Sequence, residues 1–138
     1  MNDVGLLTSV FFGNSIKAVM DDMASINLGS VYETVVAQEL LAHGFNLFYY
    51  DNKKNGEVDY LIDDMTNLSV MPIEVKSGKD YKVHSALDRF LQTKEYNINE
   101  AFVLSNAREV ETVDGITYLP IYYISCFSHD TEEEVLLE

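Results

Sequence analysis

Between Gly56 and Lys79 the chain reads GEVDYLIDDMTNLSVMPIEVKSGK, two apolar runs joined by a polar stretch, with ionisable residues inside both runs. The pattern predicts strands over Glu57–Asp63 and Ser69–Lys76, joined as an antiparallel hairpin. Ionised groups are costly to bury unless they are paired, hydrogen-bonded or bound to a metal. Asp59, Glu74 and Lys76 nevertheless stand in stretches that otherwise read as core. A turn centred between Thr66 and Asn67, inside the polar stretch Asp63–Asn67, sets Asp59 opposite Glu74. Directly opposed residues have Cβ atoms about 4.5–5.5 Å apart, where like charges repel. Glu74 and Lys76, two apart, point to one face, with Ile73 and Val75 on the other. Glu57 shares the face of Asp59 and reads as a strand-edge charge. One sheet face is therefore expected to carry a knot of carboxylates with a single ammonium.

The remaining segments predict what surrounds this hairpin. Ser30 to His43, SVYETVVAQELLAH, reads as a helix with Ser30 as N-cap and Gly44 as the C′ stop. On its wheel Glu33 falls in the middle of an arc of Val36, Ala37, Leu40 and Leu41, where a glutamate needs a partner. Phe45–Asp51 is strand-like, and Lys53–Gly56 turns the chain. Tyr81–Tyr96 reads as a second helix with Val83, Ala86, Leu87, Phe90 and Leu91 on one stripe. Ala101–Leu104 is a short apolar strand. Glu109–Val113 and Ile116–Leu119 flank Asp114-Gly115, a strong hairpin signal. Ile121–Phe127 fits either strand or helix. The expected fold class is α/β, a central mixed sheet flanked by helices.

Composition narrows the function classes. At 138 residues one domain spanning 1–138 is expected, enough to bury about two-thirds of its unfolded surface. Apolar runs fall well short of the roughly 18 residues that span a bilayer, so no membrane is expected. A single cysteine, Cys126, excludes an internal disulfide framework and any zinc-site spacing, which fits a reducing, cytoplasmic setting. The net charge of −14 opposes generic nucleic-acid binding. Lys53, Lys54, Lys76, Lys79, Lys82, Arg89 and Lys94, however, gather around the hairpin, so weak contact with nucleic acid stays open. The abrupt apolar start at Val4-Gly5-Leu6-Leu7 leads us to expect a fragment of a longer protein. Leu137-Glu138 fits a cloning scar, and Glu132-Glu133-Glu134 a solvated tail.

A divalent cation held by Asp59 and Glu74, with Glu33 nearby, would serve all three acids. Oxygen-only ligation points to Mg²⁺ or Mn²⁺ rather than zinc. The segments Gly56-Glu57-Val58-Asp59 and Ile73-Glu74-Val75-Lys76-Ser77-Gly78 resemble the active-site core of the PD-(D/E)xK nuclease superfamily. A closer resemblance is to the nuclease-like domain at the C-terminus of bacterial and archaeal AAA-type ATPases. It rests on Asp3-Val4-Gly5-Leu6, Gly29–Glu33, Glu57–Asp59, Glu74–Gly78 and Leu119-Pro120-Ile121-Tyr122.

The resemblance implies a restriction-endonuclease-like fold and metal-dependent phosphodiester hydrolysis on nucleic acid. Asp59, Glu74 and the Val75 carbonyl would be metal ligands, Lys76 a catalytic residue, and Glu33 the holder of a second ion or a water. It also implies an N-terminal ATPase domain as partner. The chain itself has no phosphate-binding Gly-x-x-x-x-Gly-Lys-Ser/Thr, so no nucleotide is expected here.

Two other readings stay open: a structural ion-pair network in a nuclease-fold module that recognises a partner or regulates the ATPase without catalysis, and a small-molecule phosphatase. Lys82, Arg89 and Thr93 would share one helix face able to track a phosphate backbone, or simply be solvated. His43 and His84 receive no role. Cys126 reads as a buried small hydrophobe, and Tyr49, Tyr50, Tyr118, Tyr122 and Tyr123 as core or interface.

Overall fold

The computed structural model describes residues 28–65, 67–96 and 98–128. The motif at Asp3–Leu6, the acidic tail and Leu137-Glu138 lie outside the described residues. Helix α1 (Gly29–Ala42) is followed by β1 (Phe48–Asn52), β2 (Gly56–Asp64), β3 (Ser69–Lys76) and helix α2 (Ser85–Leu91). A 3₁₀ turn (Lys94–Tyr96) precedes β4 (Ala101–Ser105), β5 (Glu111–Val113), β6 (Ile116–Pro120) and a final 3₁₀ segment, Ile121–Cys126. The six strands form one sheet in the order β1-β2-β3-β4-β6-β5. Pairs β1/β2, β2/β3 and β5/β6 are antiparallel, whereas β3/β4 and β4/β6 are parallel. This is the mixed α/β sheet flanked by helices that the sequence leads one to expect. Among the described residues no helix is long and apolar enough to cross a membrane.

Each sheet face has its own core. Val36 and Leu40 of α1 pack with Ile62, Ile73, Val75 and Leu104 on one side. Leu87 and Phe90 of α2 pack with Val58, Ala101, Val103 and Tyr118 on the other. Alternation along β3 and β4 explains the division, because successive residues of a strand serve opposite faces.

Helix α1 ends as its sequence predicts and begins otherwise. Gly44 takes φ +84°, and the Phe45 and Gly44 amides donate to the Leu40 and Leu41 carbonyls at 3.0 and 3.1 Å. That is a Schellman stop, which favours glycine because the left-handed region penalises a Cβ. Ser30, expected as N-cap, is instead the second helical residue. Leu28 occupies the cap with no side-chain bond, and the Ser30 carbonyl accepts from the Thr34 hydroxyl at 2.6 Å. Leu41, placed in the buried arc, is 55% exposed, because α1 lies on the sheet through Val31, Val36 and Leu40. Strand β1 starts at Phe48 rather than Phe45, since Phe45 is drawn into the core by the helix stop.

The second helix is shorter than its periodicity suggests. Tyr81–His84 lies outside α2, where the His84 ring is held by Asp88 and Tyr118 and its backbone leaves the helical region at φ −141°, ψ 56°. Val83 is consequently 70% exposed. The face proposed for Lys82, Arg89 and Thr93 does not exist as one surface. Lys82 pairs with Glu111, Arg89 donates to the Asn55 carbonyl and the Ser85 hydroxyl, and Thr93 follows the helix. Tertiary partners here override a local pattern. The Asp114-Gly115 turn is as expected, with φ +51° and +81°, and Ile121–Cys126 resolves the remaining ambiguity as 3₁₀. Cys126 is exposed, not buried, and Tyr49 and Tyr122 are largely exposed rather than core, while Tyr118 is buried.

Gly56 joins the β1–β2 turn to the site strand at φ +94°, and a Cβ there would lie 2.8 Å from the Ala86 Cβ. Gly56→Ala is therefore expected to destabilise the fold by about 2–4 kcal/mol, from left-handed strain together with overpacking against α2. Urea unfolding of the two proteins checks this.

Candidate functional site

The β2–β3 ladder runs from Asp64↔Ser69 to Tyr60↔Ile73. Continued by one residue, the same register sets Asp59 opposite Glu74, as the turn chemistry predicts. The ladder ends there, because β2 stays with β1 over Gly56–Val58 while β3 continues along β4 to Lys76. The Asp59 carboxylate occupies the opening and accepts the Val75 amide at 2.7 Å.

A bulge helps to place it. The β1–β2 register shifts between Phe48 and Tyr50, so Asp59 and Tyr60 together face Tyr49. Val58 accordingly packs on the α2 side and Tyr60 and Ile62 on the α1 side. Bulges commonly re-aim side chains near sites.

The carboxylates do not share one face in the way that simple alternation implies. Ile73 and Val75 belong to the α1-side core, so Glu74 and Lys76 turn toward the α2 side. Glu33 approaches from α1, and its electrostatic neighbours are Asp59, Glu57 and Lys76. The acids thus converge on the splayed end of the hairpin from both faces. Glu57 is exposed and acts on Glu33 and Asp59 only through its charge.

Glu74 is the most constrained member. It is 5% exposed, its Oε1 accepts from the Lys76 ammonium at 2.6 Å, and its Oε2 is buried with no hydrogen-bond partner among the described residues. Lys76 remains about a third exposed. Burial pushes the Glu74 carboxyl above the ordinary range, and the Asp59 charge adds to this against the opposing pull of Lys76. Burial likewise raises Asp59, opposed by the Val75 amide and Lys76, and raises Glu33, reinforced by Asp59 and Glu57. The Tyr60 hydroxyl donates to the Glu33 carbonyl oxygen at 3.1 Å. Burial and the nearby Glu33 and Asp59 charges push its phenol up to about 12.

Among the described residues no three His, Cys, Asp or Glu side chains converge as a closed metal centre. The donors fit a hard dication all the same. Two carboxylates, one with an orphaned buried oxygen, suit Mg²⁺, which usually takes one or two carboxylates and keeps several waters. Glu33 then stands as a charged neighbour of that pair.

These raised values carry a consequence for the ion-free protein. A carboxyl with a higher pKa when folded binds more protons in the native state than in the unfolded chain. Stability is then greatest below the ordinary carboxylate range and falls as pH rises through the folded values. The fall is expected to be shallower in Glu74→Gln, and melting curves recorded upward from the ordinary carboxylate range check it.

Sequence reasoning missed a polar relay beside Glu74. His84, 6% exposed, has Nδ1 2.9 Å from an Asp88 carboxylate oxygen and Nε2 2.7 Å from the Tyr118 hydroxyl. A cationic His84 is near enough to favour the Glu74 anion. The His84–Asp88 spacing of four was a usable helix signal. Tyr118 lies on β6, and nothing local announces it.

A family model described as "Domain of unknown function (DUF4143)" matches residues 28–124. No curated protein and no solved structure matches the chain.

Proposed function

Because the chain belongs to the DUF4143 family, whose description carries no chemistry, we propose from the geometry of the site that this is a metal-dependent phosphodiester hydrolase domain of PD-(D/E)xK type, acting on nucleic acid. One observation carries the reading: the buried Glu74 Oε2 has no partner beside a second carboxylate at the splayed strand ends. Structural ion pairs satisfy their buried oxygens; this pair leaves one free, as a cation site requires.

Asp59 and Glu74 would hold Mg²⁺ or Mn²⁺, with the Val75 carbonyl as a further ligand. When bound, the dication neutralises these acids, acidifies the attacking water and polarises the phosphoryl oxygen. The Val75 amide orients Asp59 by its 2.7 Å bond, so the carboxylate needs no rearrangement. Lys76 steadies Glu74 and brings a partly exposed ammonium to the reacting phosphoryl group, where it offsets developing negative charge. Glu33, with its raised pKa, positions a water or a second ion. Lys53 and Lys54, in the turn before Gly56, and Lys79, in the loop after Lys76, are exposed on the two segments adjoining the site. They would supply phosphate-backbone contacts, weak in view of the overall negative charge. The sequence resemblance extends the proposal to an AAA-type ATPase as the parent chain.

Calorimetric titration with Mg²⁺ and Mn²⁺ tests the reading. Heat of binding is expected in the wild type and absent in Asp59→Ala. Absence of binding at millimolar metal in the wild type would overturn it and favour the catalytically inactive module. That module has its own support in the Lys76–Glu74 pair, already closed at 2.6 Å.

A further inference from the structure

At the opposite end of the same hairpin lies a cavity with a different chemistry. It has a volume of about 590 Å³, within the range of small-molecule sites, and lies between the hairpin turn and the end of α2. Asp63, which lines it, is four residues along β2 from Asp59, about 13 Å at the rise of a strand. Tyr50, Phe90 and Tyr96 line one side. Their ring centroids are 4.8 Å apart for Tyr50–Phe90 and Phe90–Tyr96, and 6.2 Å apart for Tyr50–Tyr96.

Asp63 and Asp64 also line the cavity; as consecutive residues of β2 they serve opposite sheet faces, and Asp63, two residues from Leu61, shares the α2 side with the rings. Asp64 spends its oxygens on neutral donors, the Asn67 amide at 3.0 Å and the Asn67 side chain at 2.8 Å, so its charge is not offset. Asp63 is half-buried, and among the described residues its carboxylate makes no hydrogen bond or ion pair. Leu68, 88% exposed, completes an apolar rim.

Of the three rings Phe90 is almost fully buried, and Tyr50 and Tyr96 are the more exposed; aromatic rings attract cations, all the more where water is partly excluded. The uncompensated Asp63 carboxylate on the same side as the rings selects the same sign of charge, and the apolar rim suits a hydrocarbon stem. An anion would meet the Asp63 carboxylate, and a neutral apolar ligand would leave it desolvated without a partner. We infer that this cavity binds a small organic cation, an ammonium or guanidinium group on an aliphatic stem, independently of the Asp59–Glu74 site.

The test titrates the full chain with N-butylguanidinium and with N-butylurea, its uncharged counterpart of equal shape, followed by NMR signals of the cavity residues Leu61 and Val70. The cation is expected to bind about tenfold more tightly than the urea, a difference within the reach of a cation–aromatic contact plus one carboxylate. Asp63→Asn and Tyr96→Leu are each expected to weaken the cation by about threefold or more, while their melting curves stay cooperative. Equal affinity for the two ligands, shifts confined to other residues, or unchanged affinity in both variants would overturn the inference. Because Asp63 and Tyr96 lie outside the proposed metal site, Mg²⁺ calorimetry on the same variants should match wild type, which separates failure here from failure there.

Discussion

The Mg²⁺-dependent cleavage of nucleic acid proposed for this domain is expected to fall by about 10²–10³-fold in both Glu74→Ala and Lys76→Ala, the usual effect of deleting one electrostatic contact to a developing charge. The two variants should then part company in stability without metal. Glu74→Ala removes a buried carboxylate whose Oε2 has no partner and whose neighbour Asp59 repels it, so its melting temperature is expected to hold or rise. Lys76→Ala leaves the Glu74 Oε1 without its 2.6 Å ammonium, stranding a buried anion, and its melting temperature is expected to drop. Equal cleavage in wild type and both variants would assign the activity to a contaminant. Activity lost in parallel with the folded signal would assign these residues to structure alone. Cleavage assays beside melting curves on the same preparations distinguish these outcomes.

Phe90→Ala is expected to destabilise the protein by about 3–5 kcal/mol, through lost burial plus the cavity left behind. Phe90 is 2% exposed and ties α2 to the sheet through Leu87, Val58 and Val103, with Tyr50 and Tyr96 edge-on or tilted against it at 4.8 Å. Leu91, the next residue on the predicted stripe, is only partly buried at the edge of the same cluster, so Leu91→Ala should cost clearly less. Chemical denaturation of the two variants gives the comparison, and equal losses would mean that α2 contributes through its whole stripe rather than through one anchored ring.

What could be read beforehand was local. The polar turn Asp63–Asn67 predicted the register observed from Asp64↔Ser69 to Tyr60↔Ile73, whose extension would set Asp59 opposite Glu74, since hairpin pairing follows from where the chain reverses. Gly44 and Asp114-Gly115 announced their own left-handed backbones. Where local rules failed, a distant partner had prevailed. The Tyr81–Tyr96 periodicity was cut short where His84 turned to Tyr118, 34 residues away. Leu41 was left in solvent by the angle at which α1 meets the sheet.

The amino-acid order thus determined the strands, the opposed acids and the position of the lysine, because turn chemistry and side-chain alternation act over a few residues. Only the tertiary structure decided that β2 and β3 part at Asp59, that Glu33 approaches from the other face, and that Glu74 keeps one oxygen unpaired. Those outcomes depend on which atoms exclude water from a group. Desolvation is set by neighbours brought from elsewhere in the chain, and no short stretch of sequence encodes it.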